Sequence, residues 1–261
     1  MRHLLDYNSE SWCRMQNQAV ETVETAETVE KTYKPVQSIE RVFQIMEILA
    51  QNPEGLSLMA LSEKTGLHNS TVHRLLHTLY ALGYTEWRHS NSSPYKLTLR
   101  LFEYGSASVE HRPFVQTARP FLDRLSEELN LSAHLFLPDQ SDMMCVMTSN
   151  HSSFSGGPQA GTRLPMWCSA AGKCMLAYRS DQAVASLWES RGASLYGPNA
   201  PASLAALHKD LTTVQQYGYA FCNEEVRVGL ATLGVPLVDQ TGAAIGALCI
   251  SGIPSNFSSS N

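Results

Sequence analysis

The sequence predicts an α+β chain with an N-terminal winged helix-turn-helix domain, a linker helix and a C-terminal α/β domain. Three observations carry that expectation. Two short amphipathic helices flank a glycine turn between Leu58 and Leu79. A third apolar helix precedes them, and two short strand-like runs follow. Beyond Pro113, helical apolar stripes alternate with apolar runs of strand length as far as Ser251.

Ser38 opens the first helix, whose apolar side is read as Ile39, Val42, Phe43, Met46 and Leu49. Ser57 stands where an N-cap accepts an orphan backbone N–H, and Leu58, Leu61 and Thr65 follow at i, i+3 and i+7. Gly66 stops that helix, a position suited to a residue free to take positive φ. Asn69 or His68 caps the next helix, in which Val72, Leu75, Leu76 and Leu79 form the buried stripe. Its other side is polar: Ser70, His73 and His77 make one row and Thr71, Arg74 and Thr78 a second, with Asn69 at the start and no carboxylate among them. A helix-turn-helix lays such a face in the major groove of double-stranded DNA, N-terminal residues nearest the base edges. After Gly83, Tyr84–Arg88 and Tyr95–Leu99 read as wing strands around the polar turn HSNSSP, with Arg88, His89 and Lys96 available to phosphates.

Three separated runs, GLHNSTVHRLLHTLYALGY, GTRLPMWCSAAGKCMLA and GVPLVDQTGAAIGALCISG, resemble the IclR family of bacterial transcriptional regulators, over roughly Val36 to Pro254. The resemblance implies a winged helix-turn-helix over 36–99, a linker helix over 100–112 and a GAF-like α/β effector-binding domain over 113–261. It also implies operator DNA as partner, a homodimer or dimer of dimers, and a small-molecule effector, expected to be an organic or sugar-derived acid. No catalytic residue, metal or cofactor is expected.

Residues 1–35 contain VETVETAETVEKT, with glutamates every third residue and no strong apolar face, and read as a solvated tail. The linker segment Leu101–Glu110 has an apolar surface too broad for free exposure; it packs either on its own chain or on a partner subunit, and the resemblance implies the latter. Phe121, Leu122, Leu125 and Leu129 form a helical stripe ending at Asn130, followed by strands Ala133–Leu137 and Met143–Thr148 around the turn PDQSD. The Ser- and Gly-rich run HSSFSGGPQAG reads as a mobile loop.

Ser169 to Lys173 opens a further helix with small residues. Accessible N–H groups there suit an anion, and close packing against a sheet is the plain alternative. A P-loop is excluded, because Trp167 replaces its first Gly and Cys174 its Ser or Thr. A Ser-Lys nucleophile spacing also fails, Lys173 lying four residues after Ser169. Helix Leu204–Tyr217, a turn at Gly218, strand Tyr219–Cys222 and strands Ala231–Val238 and Ala243–Ser251 complete the chain. Cys249 and Ser251, two apart, share a sheet face. By the resemblance, effector contacts fall on Ala170, Ala171, Cys222, Leu230, Thr232, Cys249 and Ser251. Relatives commonly have Asp at Cys222 and Ser at Cys249, and continue into a final helix that this chain lacks, which would leave apolar sheet surface exposed.

The formal charge of −5 says little about a DNA partner, since phosphate contacts depend on where the cations lie. Acidic residues mostly precede the second helix of the pair, whereas that helix and the wing carry Arg, Lys and His. Six cysteines without a CxxC pair read as buried thiols rather than a metal or disulfide frame. No apolar run approaches the ~20 residues of a membrane helix, and a cytoplasmic protein is expected. The competing class is an enzyme with Cys168, Cys174, Glu224 or Glu225 at its site; a regulator that binds DNA without sensing ligand is a third reading.

Overall fold

The computed structural model describes residues 35–87, 94–110, 112–151, 156–191 and 196–258. The expected tail, apart from Pro35, lies outside these, as do Arg88 and His89 of the wing, Cys13, and the centre of the Ser- and Gly-rich loop. Two compact units divide at Gly105 and Ser106.

The first unit contains α1 (Gln37–Ala50), α2 (Leu58–Thr65), α3 (Asn69–Ala81), β1 (Thr85–Glu86), β2 (Lys96–Leu97) and the start of α4 (Arg100–Glu110). Ser57 caps α2 by accepting from the Ala60 N–H at 3.2 Å. Gly66 ends α2 at φ 68°, where a side chain would be strained. The cap of α3 is His68, whose Nδ1 accepts from the Ser70 N–H at 3.4 Å; Asn69 is the first helical residue. Ile45, Met46, Leu49, Leu61, Val72, Leu76, Leu79 and Tyr95 form the core.

Ile39 and Phe43 are exposed, and the α1 stripe is Val42, Ile45, Met46 and Leu49. Both sets fit a helical period, but α2 and β2 pack on the Ile45 side. Among the described residues the wing strands are shorter than read, pairing only Thr85 with Leu97 and Glu86 with Lys96, and a bridge from Leu56 to Tyr95 continues the sheet. Tyr84 then stacks on Tyr104 of α4, ring centroids 6.2 Å apart, with Arg100 over the Tyr84 ring.

The second unit is built on an antiparallel sheet of β3 (Ser132–Asp139), β4 (Asp142–Asn150), β5 (Arg163–Pro165), β6 (Ala220–Asn223), β7 (Ala231–Val238) and β8 (Ala244–Gly252), in the order β5-β4-β3-β8-β7-β6. On one face lies α5 (Pro113–Leu129), closed by Asn130 at φ 51°. It buries Val115, Ala118 and Leu122 against Ala133, Leu135 and Leu137. Phe121 and Leu129, expected inside, are exposed, because the sheet meets the Val115–Ala118–Leu122 side. On the other face lies α6 (Ala170–Leu176), buried along its whole length. Outside α6, Val184 and Leu187 of α7 (Asp181–Arg191) and Leu207, Leu211 and Val214 of α8 (Leu204–Tyr217) complete that core. After β8 the described chain ends in a 3-10 turn, Pro254–Phe257. Val235 and Val238 of β7 are exposed. Among the described residues no helix is long and apolar enough to cross a membrane, and no His, Cys, Asp or Glu group is placed to hold a metal ion.

Candidate functional site

The structure groups the expected residues on two surfaces, one in each unit. On α3, Asn69, Ser70, His73, Arg74, His77 and Thr78 are exposed and Thr71 is half-buried, while Val72, Leu76 and Leu79 hold the helix to its core. The His73 and His77 rings lie 6.4 Å apart as i, i+4 neighbours. Thr78 Oγ1 donates to the Arg74 carbonyl at 3.0 Å, and Ser70 Oγ lies 2.8 Å from the capping imidazole of His68. Arg74 is exposed on the same helix as these hydroxyl, amide and imidazole residues. On the wing, Lys96 reaches Glu54 at 3.5 Å. Glu54 is fully exposed and Lys96 half-buried, so a phosphate competes for Lys96 at little cost.

In the second unit, strand register assembles the other set. Ser132, Ser251, Thr232 and Cys222 form one row across β3, β8, β7 and β6, and His134, Cys249, Gly234 and Ala220 form the next. Opposed residues point to the same face, and here it is the face under α6. A Cβ on Gly234 would lie 2.9 Å from Cys249 Sγ and 3.3 Å from Ala170, so the bare backbone lets the start of α6 approach the sheet. Ser169 caps α6, accepting from the Gly172 N–H at 3.2 Å and donating to the Pro165 carbonyl at 2.6 Å.

Between α6 and the sheet a narrow cleft of about 10 Å³, room for about one water molecule, is lined by Ala170, Ala171, Cys222, Leu230, Thr232 and Cys249. Six of the seven expected effector residues thus meet. Ser251 shares their sheet face, but its hydroxyl lies 2.7 Å from His134 Nε2 rather than in the cleft. Burial lowers the His134 pKa to about 4, and its Nδ1 lies 3.3 Å from Thr148 Oγ1. Ser251→Ala leaves one ring nitrogen of a buried neutral imidazole unpaired, and is expected to cost about 1–3 kcal/mol of stability, read by urea unfolding. His134 also makes stability pH-dependent. The unfolded chain binds a proton that the folded one refuses, so the contribution is complete above pH 6.5 and is lost as pH falls toward 4.

Phe136, Leu164, Ser169, Glu225 and Val226 also line the cleft and were not expected there. The adjacent carboxylates of the β6–β7 turn separate. Glu224, at φ 56°, accepts from the Gly229 N–H at 2.8 Å and closes the turn. Glu225 turns inward, its Oε2 2.6 Å from Lys173 Nζ, which also donates to Asp210 Oδ2 at 2.6 Å. Burial opposes the Lys173 charge, but the carboxylates of Glu225 and Asp210 against it hold its pKa above the ordinary range. Burial raises that of Glu225, and Lys173 counters it. Burial also pushes Cys168 and Cys174 up to about 12 and Cys222 and Cys249 well above the usual thiol range, so the described thiols around the cleft are neutral. The signal for Glu225 was Lys173 itself: a single cation in the buried small-residue run SAAGKCMLA requires a buried carboxylate partner.

Two family models match the chain: the IclR helix-turn-helix domain over residues 38–89 and the bacterial transcriptional regulator IclR C-terminal domain over 106–261. The transcriptional repressor IclR of Escherichia coli is 30% identical over 211 residues, covering 79% of this chain and 76% of that protein. The DNA-binding transcriptional repressor YiaJ of the same organism is 30% identical over 212 residues, covering 79% and 74%. Among solved structures, Thermotoga maritima IclR superposes with TM-score 0.70 at 22% identity over 85% of this chain and 90% of that one. An IclR homolog from Microbacterium hydrocarbonoxydans, complexed with 4-hydroxybenzoate, gives TM-score 0.71 at 20% identity over 83% and 89%. These relatives are regulators rather than enzymes, which removes the competing catalytic reading. The chain belongs to the IclR family of DNA-binding transcriptional regulators.

Proposed function

We propose that this regulator binds operator DNA as a homodimer or dimer of dimers, reading the major groove with Asn69, Ser70, Thr71, His73, Arg74, His77 and Thr78. Lys96 and, outside the described residues, Arg88 are assigned to phosphates on the wing. The observation that supports this reading most is the exposed, carboxylate-free face of α3 within the segment matched as an IclR helix-turn-helix. Dimerisation would double the phosphate contacts of a chain whose net charge is −5. The exposed Leu99, Phe102 and Tyr104 around α4 offer an apolar surface for it, in the segment assigned as linker, 100–112, between DNA-binding (36–99) and effector-binding (113–261) domains. Arg74→Ala is expected to weaken operator binding by about 1–3 kcal/mol and to leave thermal stability unchanged. Equal affinities of the two proteins through a salt titration would remove Arg74 from the interface.

The effector is assigned to the cleft under α6 as a small organic or sugar-derived acid. Ala170 and Ala171 at the start of α6 line the cleft, while Phe136, Leu164, Val226 and Leu230 supply apolar wall. The bound 4-hydroxybenzoate of the Microbacterium homolog is an acid of this class. Such a ligand shifts operator binding only through unequal affinity for two arrangements of the regulator. A thermal-shift screen of monocarboxylic and sugar acids tests the assignment, and a response that survives filling the cleft with Ala171→Leu would overturn it.

A further inference from the structure

The cleft under α6 has one charged side chain among its lining residues, the carboxylate of Glu225, which is 7% exposed. Lys173 holds that carboxylate, but the same ammonium is shared with Asp210 on α8, one cation between two carboxylates. The other titratable groups packed around Glu225 are Cys222 on β6, whose thiol donates to it, and Cys168 ahead of α6. Both are neutral thiols, so no neighbour brings positive charge beyond Lys173.

An acid entering this cleft places its carboxylate beside an ion cluster that is already negative. Two carboxylates in contact away from water do not both stay ionised; they share a proton. Burial at Glu225 already favours the protonated form.

Building on the acid-effector reading above, we propose that Glu225 determines the cleft's specificity by taking up one proton as an acid with a single carboxyl group binds. The proton comes from solvent and ends between Glu225 and the ligand carboxylate. Dicarboxylates and phosphate esters are rejected, because their second charge is left with neither a proton nor a cation. Lys173 is the positioning residue, fixing Oε2 of the carboxylate.

Calorimetric titration of the full-length protein in two buffers of different ionisation enthalpy counts that proton directly. The probes are propionate, lactate and 4-hydroxybenzoate, with succinate for comparison. The expected result is uptake of about one proton per monocarboxylate and affinity falling by up to about tenfold per pH unit above neutrality. Succinate should bind at least about tenfold more weakly. Glu225→Gln, which keeps the Lys173–Asp210 pair, should bind the monocarboxylates without proton uptake or pH slope; should that variant not fold, the wild-type proton count decides alone. Binding without proton uptake, or succinate binding as tightly as propionate, would overturn the role of Glu225 and leave the acid-effector reading standing. No binding of any probe at any pH would overturn both.

Discussion

Lys173→Met is expected to destabilise the second unit by about 3–5 kcal/mol near neutral pH. Methionine fills much of the lysine stem's volume in a helix that is wholly buried, so the loss is electrostatic rather than a cavity. Asp210 is 41% exposed at its side chain and turns to water when its partner goes. Glu225, at 9%, does not, and its carboxylate is left buried without a cation. The sign of the pH dependence follows. With Lys173 removed, burial holds the folded-state pKa of Glu225 still further above its unfolded value. The stability of the variant is then greatest below the ordinary glutamate range and falls as pH rises through the raised value. Urea unfolding of wild type and variant at mildly acidic and mildly alkaline pH should show the difference widening with pH, and Lys173→Met with Glu225→Gln should recover most of it. An equal loss at both pH values would show that the cation's charge is not what the domain requires.

Gly172→Ala is expected to cost at least about 3 kcal/mol, because overpacking is worst where the obstacle cannot rotate away. A Cβ there would lie 2.1 Å from Met166 Cα and 2.2 Å from the Met166 carbonyl oxygen. Those are backbone atoms of the segment leading into α6, already tied back by Ser169 Oγ on the Pro165 carbonyl. Either α6 lifts from the sheet and opens the cleft beneath it, or the second unit unfolds. The first unit shares none of these contacts, so calorimetry should show one transition lost or lowered and the other in place. A variant with wild-type melting would mean that the Met166–Gly172 approach is not maintained in solution.

The DNA-binding helices were legible because their information is local. Ser57, Gly66 and the Val72–Leu76–Leu79 period fix caps, turn and buried side within one stretch of chain, as Ser203 and Gly218 do for α8. Which face of α1 is buried was not legible: Ile39, Val42 and Phe43 fit a helical stripe as well as Val42, Ile45 and Met46, and only the packing of α2 and β2 decides between them. In the second unit, the Asp239–Gly242 turn sets the β7–β8 register and so places Thr232 opposite Ser251. The β3–β8 pairing spans more than a hundred residues. Nothing near His134 announces that it will lie against Cys249 and occupy the Ser251 hydroxyl. Glu225 shows the same limit from the other side, since its inward turn depends on Lys173 and Asp210, distant in sequence.

The most direct test of this account is selection of genomic fragments by the purified protein at fixed, near-physiological salt, with Arg74→Ala run in parallel. The wild-type protein is expected to recover a sharp, roughly palindromic site, and Arg74→Ala to lose preference for it while remaining folded. Diffuse, equally salt-sensitive recovery by both proteins would contradict it, because the exposed face of α3 would then not be the surface that reads DNA.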